Sequence, residues 1–286
     1  MFTLDTISDG LSVKWDGEII IEYQFQTGGP RPYWHPLRLP DSPILTMNRP
    51  ADHVHHQGMW VAWKKVNDVN FWEQPAPGSD SKGFGRIVHR RIVSQSAQPT
   101  QARFTVENAW VDWQDVQHLT EIRQTTVYAP EEYYFLMDIA LRFAPSQEEL
   151  TLDLNRGEPG GGGLFYSGLT IRFDDLMTPG QLLDADGRSE AMDIFGQTSR
   201  WCGFAGKHVE DGQVYGITLI DHPENPRYPT VWWVRNRQNY ALLQPSPSYY
   251  EPFHIAGGES LSFRYRAAIH KGSVNPELIE RVGFKV

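Results

Sequence analysis

The stretch Asp52-His53-Val54-His55-His56-Gln57-Gly58-Met59-Trp60 puts three histidines within four positions, behind an aspartate and ahead of a tryptophan. Histidine is the side chain whose ordinary titration falls near neutrality, so such a cluster suits proton transfer. Neutral imidazoles also ligate zinc, copper, iron or nickel, and a carboxylate such as Asp52 can complete or orient a ligand set. On a regular strand His53 and His55 would face one side and His56 the other. The three converge only if the backbone turns, which Pro50 before them and Gly58 after them favour. The spacing matches no zinc signature such as H-E-x-x-H. A divalent metal on His53, His55 and His56 therefore rests on composition alone. Membership of a binding pocket is the broader reading, with Gln57 and Trp60 beside them.

A second stretch, LIDHPENPRYPTVWWVRN, runs from Leu219 to Asn236. It reads as a strand ending in Asp221-His222, a proline-rich loop and an aromatic strand carrying Arg235. Three prolines stiffen the loop by fixing φ, and a rigid loop bearing Asp, His, Glu and Arg can present polar groups to a ligand. Equally, Asp221 can cap a turn while the tryptophans fill the core. Arg172 stands in the otherwise apolar strand SGLTIRF, where it must pair with a buried carboxylate or reach a ligand anion. Glu121, in HLTEIRQ, is a carboxylate on a strand: a general acid or base, or a cross-strand partner of Arg123 or Arg172. The glycines at 160–163 lack the order of a phosphate loop. No GxSxG elbow, CxxC pair or dinucleotide fingerprint is present. Cys202, beside Trp201, reads as a small core residue.

Strands must position these groups. LSVKWDGEIIIEYQF alternates around Asp16-Gly17, a hairpin turn. GRIVHRRIVSQS, QARFTVENAWVDW, LTEIRQTTVYAP, YYFLMDIALRFAP, LFYSGLTIRF, QVYGITLIDH, TVWWVRN, YALLQPS and LSFRYRAAIHKG follow, with His89-Arg90-Arg91 read as a strand end. Twenty prolines and 25 glycines break any long helix. Short helices fit only Asp175–Met177 and PELIERV, where Pro276 suits a first turn. Residues 75–85 and 158–163 read as loops, and no repeat or linker divides the chain. The pattern predicts an all-β fold, a large antiparallel β-sandwich formed as one domain over residues 1–286.

The chain has 286 residues, ample for a well-buried core. Its net charge of −9 argues against nucleic acid, which needs a concentrated basic surface. A single cysteine rules out an intrachain disulfide and suits a reducing compartment. The N-terminus lacks a signal-peptide pattern, and no apolar run approaches membrane-spanning length. A soluble cytoplasmic protein with no membrane partner is expected.

The runs PYWHPLR, DHVHHQGMWVAWKKVNDVNFW, SGLTIRF, SRWCGFAG and IDHPENPRYPTVWWVR resemble the bacterial PmoA family over about residues 30 to 272. That family carries a D-H-P-H-H-R-G-L-W type motif and a D-H-P-x-N-P-R-Y-P-T-x-W loop. Here Val54 stands for the usual proline and Gln57 for the usual arginine, which removes a positive charge. The resemblance implies a galactose-mutarotase-like supersandwich and a link to carbohydrate catabolism, with a sugar oxidoreductase or a second copy of the chain as partner. On that basis a carbohydrate is the expected ligand. His53, His55, His56 and His222 with Glu121 or Asp221 form the expected acid–base set of an epimerase, lyase or hydrolase. Arg172, Arg235, Trp60, Gln57, Asn225 and Tyr228 form the expected binding set. A histidine metalloenzyme of oxygenase type and a non-catalytic sugar-binding subunit are the alternatives. One geometric consequence is sharp: the two Asp-His stretches should meet at one pocket.

Overall fold

A computed structural model describes residues 1–76, 78–154 and 165–285. The glycine-rich connection at 158–163, and the start of the run at 160–173, lie outside the described residues.

Two eight-stranded sheets pack face to face. The first runs, in spatial order, Phe2–Ile7, Gly10–Trp15, Glu18–Gln24, Tyr33–Leu37, Met59–Trp63, Ser167–Arg172, Tyr240–Pro245 and Trp232–Arg237. The second runs Gln181–Asp184, Trp201–Lys207, Val214–Asp221, Leu261–Lys271, Tyr134–Pro145, Gln117–Tyr128, Gln101–Val111 and Arg86–Gln98. A small third sheet joins Phe253–Ala256, Glu149–Asp153 and Lys65–Val66. Neighbouring strands in all three pair antiparallel. The expected all-β antiparallel sandwich is therefore the observed architecture. Among the described residues no helix is long and apolar enough to cross a membrane.

Local chemistry explains the elements. The hairpin at Asp16-Gly17 has both residues at positive φ, 49° and 88°, as a two-residue turn matching strand twist requires. The Pro276–Val282 helix has Pro276 in its first turn, and the Asn275 side chain accepts from Leu278 N; both are N-terminal signals. His89-Arg90-Arg91 falls inside the Arg86–Gln98 edge strand rather than at its end. The ladder shifts register there, and a bulged, charged edge resists pairing with other chains.

Side-chain alternation builds the core. Trp34, Met59, Val61, Trp63, Leu169, Ile171, Leu243 and Val234 of the first sheet meet Phe104, Val106, Ile139, Leu219 and Tyr265 of the second. Residues of opposite parity form two further clusters on the outer faces. Trp201, Ile220, Ala268 and Ile279 sit outside the second sheet. Tyr33, Trp60, Ala62, Trp72, Trp233, Tyr240 and Leu242 sit outside the first. The strands Met59–Trp63 and Ser167–Arg172 are buried at every position. An antiparallel sheet usually leaves one face to water, so a covered outer face calls for a reason. The cover comes from the histidine loop, from Trp72 and from Phe165, Tyr166 and Phe195.

Candidate functional site

The histidine loop is a set of tight turns. His53 N donates to the Pro50 carbonyl at 3.1 Å, His56 N to the His53 carbonyl at 2.8 Å, and Arg49 N to the His56 carbonyl at 2.7 Å. The backbone thus turns as Pro50 and Gly58 suggested, and strand alternation no longer separates the three imidazoles. Gly58 closes the loop at φ +58°, where a Cβ would lie 2.3 Å from the Trp34 carbonyl oxygen. Its carbonyl accepts from Arg172 N at 2.9 Å. The buried Arg31 guanidinium donates to the carbonyls of His55 (2.8 Å), Phe71 (3.2 Å) and Trp72. It stitches the loop to the Trp72 segment. Burial pulls Arg31 down to about 9, with Glu73 opposing and Arg49 adding to the fall.

The rings form a continuous wall. His53 stacks on His56 at 4.6 Å, His55 lies 4.6 Å from His56, and His56 stacks on Trp60 at 5.2 Å. Trp72 follows Trp60 at 5.5 Å, Tyr166 stacks on Trp72 at 4.8 Å, and Trp233 lies 5.1 Å from Tyr166. Tyr240 closes the other side, 5.1 Å from His53. The Arg172 guanidinium lies over the Tyr240 ring at 4.2 Å and that of Arg237 at 4.8 Å, while Arg235 lies over Trp233 at 4.2 Å.

The electrostatics sort the histidines. His53 Nδ1 is 2.8 Å from Asp52 Oδ2, an aspartate-held imidazole with Nε2 left over. Burial raises the Asp52 carboxyl, but the bond to His53 and the Arg172 charge outweigh it and hold the group below its usual range. Burial first, then Arg31, lowers His55 to about 4. Burial and the neighbouring imidazoles drive His56 lower still. Both are therefore neutral at pH 7 and serve as hydrogen-bonding groups. Burial pushes the Tyr240 phenol up to about 12, so it keeps its proton.

One property concentrates on this face. His56 Nδ1, Gln57 Oε1, Trp60 Nε1, Trp72 Nε1, Thr170 Oγ1, Gln244 Oε1 and two nitrogens of Arg172 are buried without a hydrogen-bond partner. Most buried polar groups in folded proteins are paired, and each orphan costs on the order of 1–3 kcal/mol. Donors and acceptors are both represented, and all border the aromatic wall. Such a set is what a polar ligand completes.

The metal expectation finds no ligand set here. Among the described residues no group of three or more His, Cys, Asp or Glu side chains is arranged to hold a metal ion. His53 Nδ1 is taken by Asp52, and His56 lies flat between His53 and Trp60.

The structure gathers His53, His55, His56, Gln57, Trp60, Arg172 and Arg235, and leaves the other expected residues elsewhere. Glu121 lies wholly inside the sandwich, accepting from Arg123 Nε at 2.6 Å and Trp110 Nε1 at 2.8 Å. Its partner is Arg123, two residues along the same strand face, not a ligand. Asp221 belongs to the second sheet. Its carboxylate accepts from Asn225 Nδ2 at 2.7 Å and Thr230 N at 2.8 Å, and burial raises it to about 6. Asn225 also donates to the Arg264 carbonyl and accepts from Arg264 N. These two residues lock the proline-rich corner. His222 packs on Phe284 at 4.3 Å, outside the second sheet, and Tyr228 stays with that corner beside Arg200 and Asp221. The expected meeting of the two Asp-His stretches does not occur. Only the strand after the corner, with Trp233 and Arg235, reaches the site.

Sequence reasoning missed Tyr240, Trp72, Tyr166, Thr170 and Gln244. One usable signal was there: Thr170 with Arg172 in SGLTIRF, and Gln244 in YALLQP, are polar residues in strands with no solvent-facing parity.

The chain belongs to a family of unknown function, DUF6807, whose model matches residues 10–282. The PmoA label implied by the motif resemblance is not the family this match supports. No curated protein matches the sequence. Among solved structures it is similar to a GalM/aldose epimerase homologue from C. elegans at 8% identity, over 96% of this chain and 99% of that one, with a TM-score of 0.37. A likeness that weak establishes neither fold nor chemistry.

Proposed function

We propose that, in this member of the family, the outer face of the first sheet binds a sugar, an oxidised sugar or a glycoside, and that His53 moves a proton on it. One observation carries the reading: unpaired buried donors and acceptors cluster on an aromatic wall. A sugar offers apolar C–H faces to rings such as Trp60 and Trp72, and hydroxyls that both donate and accept. Trp60 Nε1, Trp72 Nε1 and Arg172 Nη1 supply donors, and Gln57 Oε1 and Gln244 Oε1 supply acceptors.

Proton transfer falls to His53, because a base must be oriented and, of the three loop imidazoles, His53 is the one a carboxylate holds. Asp52 fixes Nδ1 and leaves Nε2 to take or give the proton. His55, half-buried, and His56, buried, are both neutral and position hydroxyls. Epimerisation, elimination and opening of a keto-glycoside all start from abstraction of an acidified C–H proton, and this arrangement serves that common step. A binding-only role has one observation behind it, since two of the three imidazoles are held far from their working pH.

Incubation with aldoses and 3-keto-glycosides in deuterated water, followed by NMR, tests the reading. Exchange of a ring C–H that is lost in His53→Gln is the expected result. Binding without exchange leaves the binding-only role. Neither binding nor exchange, with or without added divalent metal, refutes both.

A further inference from the structure

We infer that the ligand of this face carries a carboxylate: the site is built for an acidic sugar, a uronate or aldonate, rather than a neutral one. The inference rests on the sugar-binding reading and narrows it.

Arg172 is the first ground. It is fully buried. Nη2 donates to Asp175 Oδ1 and to the Asn239 carbonyl, each at 2.8 Å. Nε and Nη1 have no hydrogen-bond partner. Asp52 Oδ2 stands 3.8 Å from Nη1, near enough to feel its charge and too far to bond it. Part of a guanidinium fork thus remains unbonded on the side of the histidine loop, where Arg172 lies over Tyr240. A planar fork with free N–H groups matches a carboxylate, and charge-assisted bonds of this kind are about twice as strong as neutral ones.

The charges around it are the second ground. Asp52 is engaged by His53, Glu73 by Lys64 and Asp175 by Arg172. Arg235 and Arg237 have no carboxylate at ion-pair distance among the described residues, and their guanidiniums lie over Trp233 and Tyr240 of the same wall. The chain as a whole is acidic, at −9. Surplus cations gathered at one polar face of an acidic protein raise the local concentration of an anion. A neutral sugar would need the aromatic wall and the hydroxyl partners, but not these arginines.

Calorimetric titration compares D-glucuronate, D-galacturonate and D-gluconate with glucose, galactose, the uronate methyl esters and glucose 6-phosphate. At least one acid should bind roughly tenfold or more tighter than its neutral parent and its ester, the scale of one charge-assisted pair. Arg235→Gln and Arg237→Gln should narrow that gap, weakening the acid more than its neutral parent; among the described residues neither side chain holds an ion pair, so both variants should fold. Equal binding of acid and parent, or preference for the phosphate ester over every carboxylate, overturns the inference and leaves the sugar reading intact. Failure of the whole panel to bind overturns the sugar reading, and this inference with it.

Discussion

Asp52 Oδ2 sits 2.8 Å from His53 Nδ1 and 3.8 Å from Arg172 Nη1, so one carboxylate faces both the candidate base and the candidate anion clamp. Its two relationships have separable consequences. Asp52→Asn keeps a side chain of the same shape but no longer supports a positive imidazole. Proton exchange on the ligand should fall by about 10²-fold or more, the usual weight of a positioned acid or base. The same change relieves Arg172 of a nearby anion, so an acidic sugar should bind as well as to the parent protein or better. NMR exchange rates and calorimetry on one preparation read both. Parallel loss of binding and exchange would show that Asp52 only holds the loop.

Neutral His55 gives stability a pH dependence of known sign. Its folded value, about 4, lies below its ordinary 6.5. Between those values the unfolded chain takes up a proton that the folded chain refuses. The stability is therefore complete above about pH 6.5 and drains away as pH falls toward 4, at up to about 1.4 kcal/mol per pH unit for each such proton. His55→Gln should show a smaller fall in Tm between pH 7 and pH 5 than the parent protein. An unchanged fall would mean that His55 is protonated in the folded state.

How far the sequence could be read follows the range of the interactions. The Asp16-Gly17 hairpin and the Asn275-capped helix are set by neighbours in the chain, so residue types revealed them. Arg172 was legible because a cation in an apolar strand needs a partner. The two Asp-His stretches look alike in sequence but differ in what their carboxylates bind. Asp221 satisfies Asn225 and a backbone N–H within its own corner, whereas Asp52 holds an imidazole. Tyr240 was not legible at all. It faces His53 only because its strand is inserted between Ser167–Arg172 and Trp232–Arg237, and no local pattern encodes that long-range register.

Gly58 is where loop geometry meets stability. Two effects oppose Gly58→Ala: the left-handed backbone costs roughly 1–2 kcal/mol, and the new methyl would press on the Trp34 carbonyl. Gly28, at φ +77° with nothing within 4 Å of an added Cβ, isolates the first effect. Thermal unfolding should show Gly58→Ala losing at least about 2 kcal/mol and Gly28→Ala distinctly less. Ligand affinity should drop only in the Gly58 variant, because only that substitution pushes on the backbone that carries the imidazoles. Equal losses in stability would mean that the loop yields to the methyl and that the close approach is not what holds it.

Glu121 provides the contrast that separates catalytic from structural carboxylates. It is sealed between the sheets with its oxygens on Arg123 and Trp110, out of reach of any ligand on the outer face. Glu121→Gln strips the buried Arg123 charge of its counter-ion, and breaking such a pair typically costs about 3–5 kcal/mol. Denaturant unfolding should show that loss. The fraction that stays folded should bind and exchange ligand within about twofold of the parent, because the outer-face geometry does not pass through this pair. The opposite pattern, full stability with lost activity, would return Glu121 to the catalytic set and move the site into the interior of the sandwich.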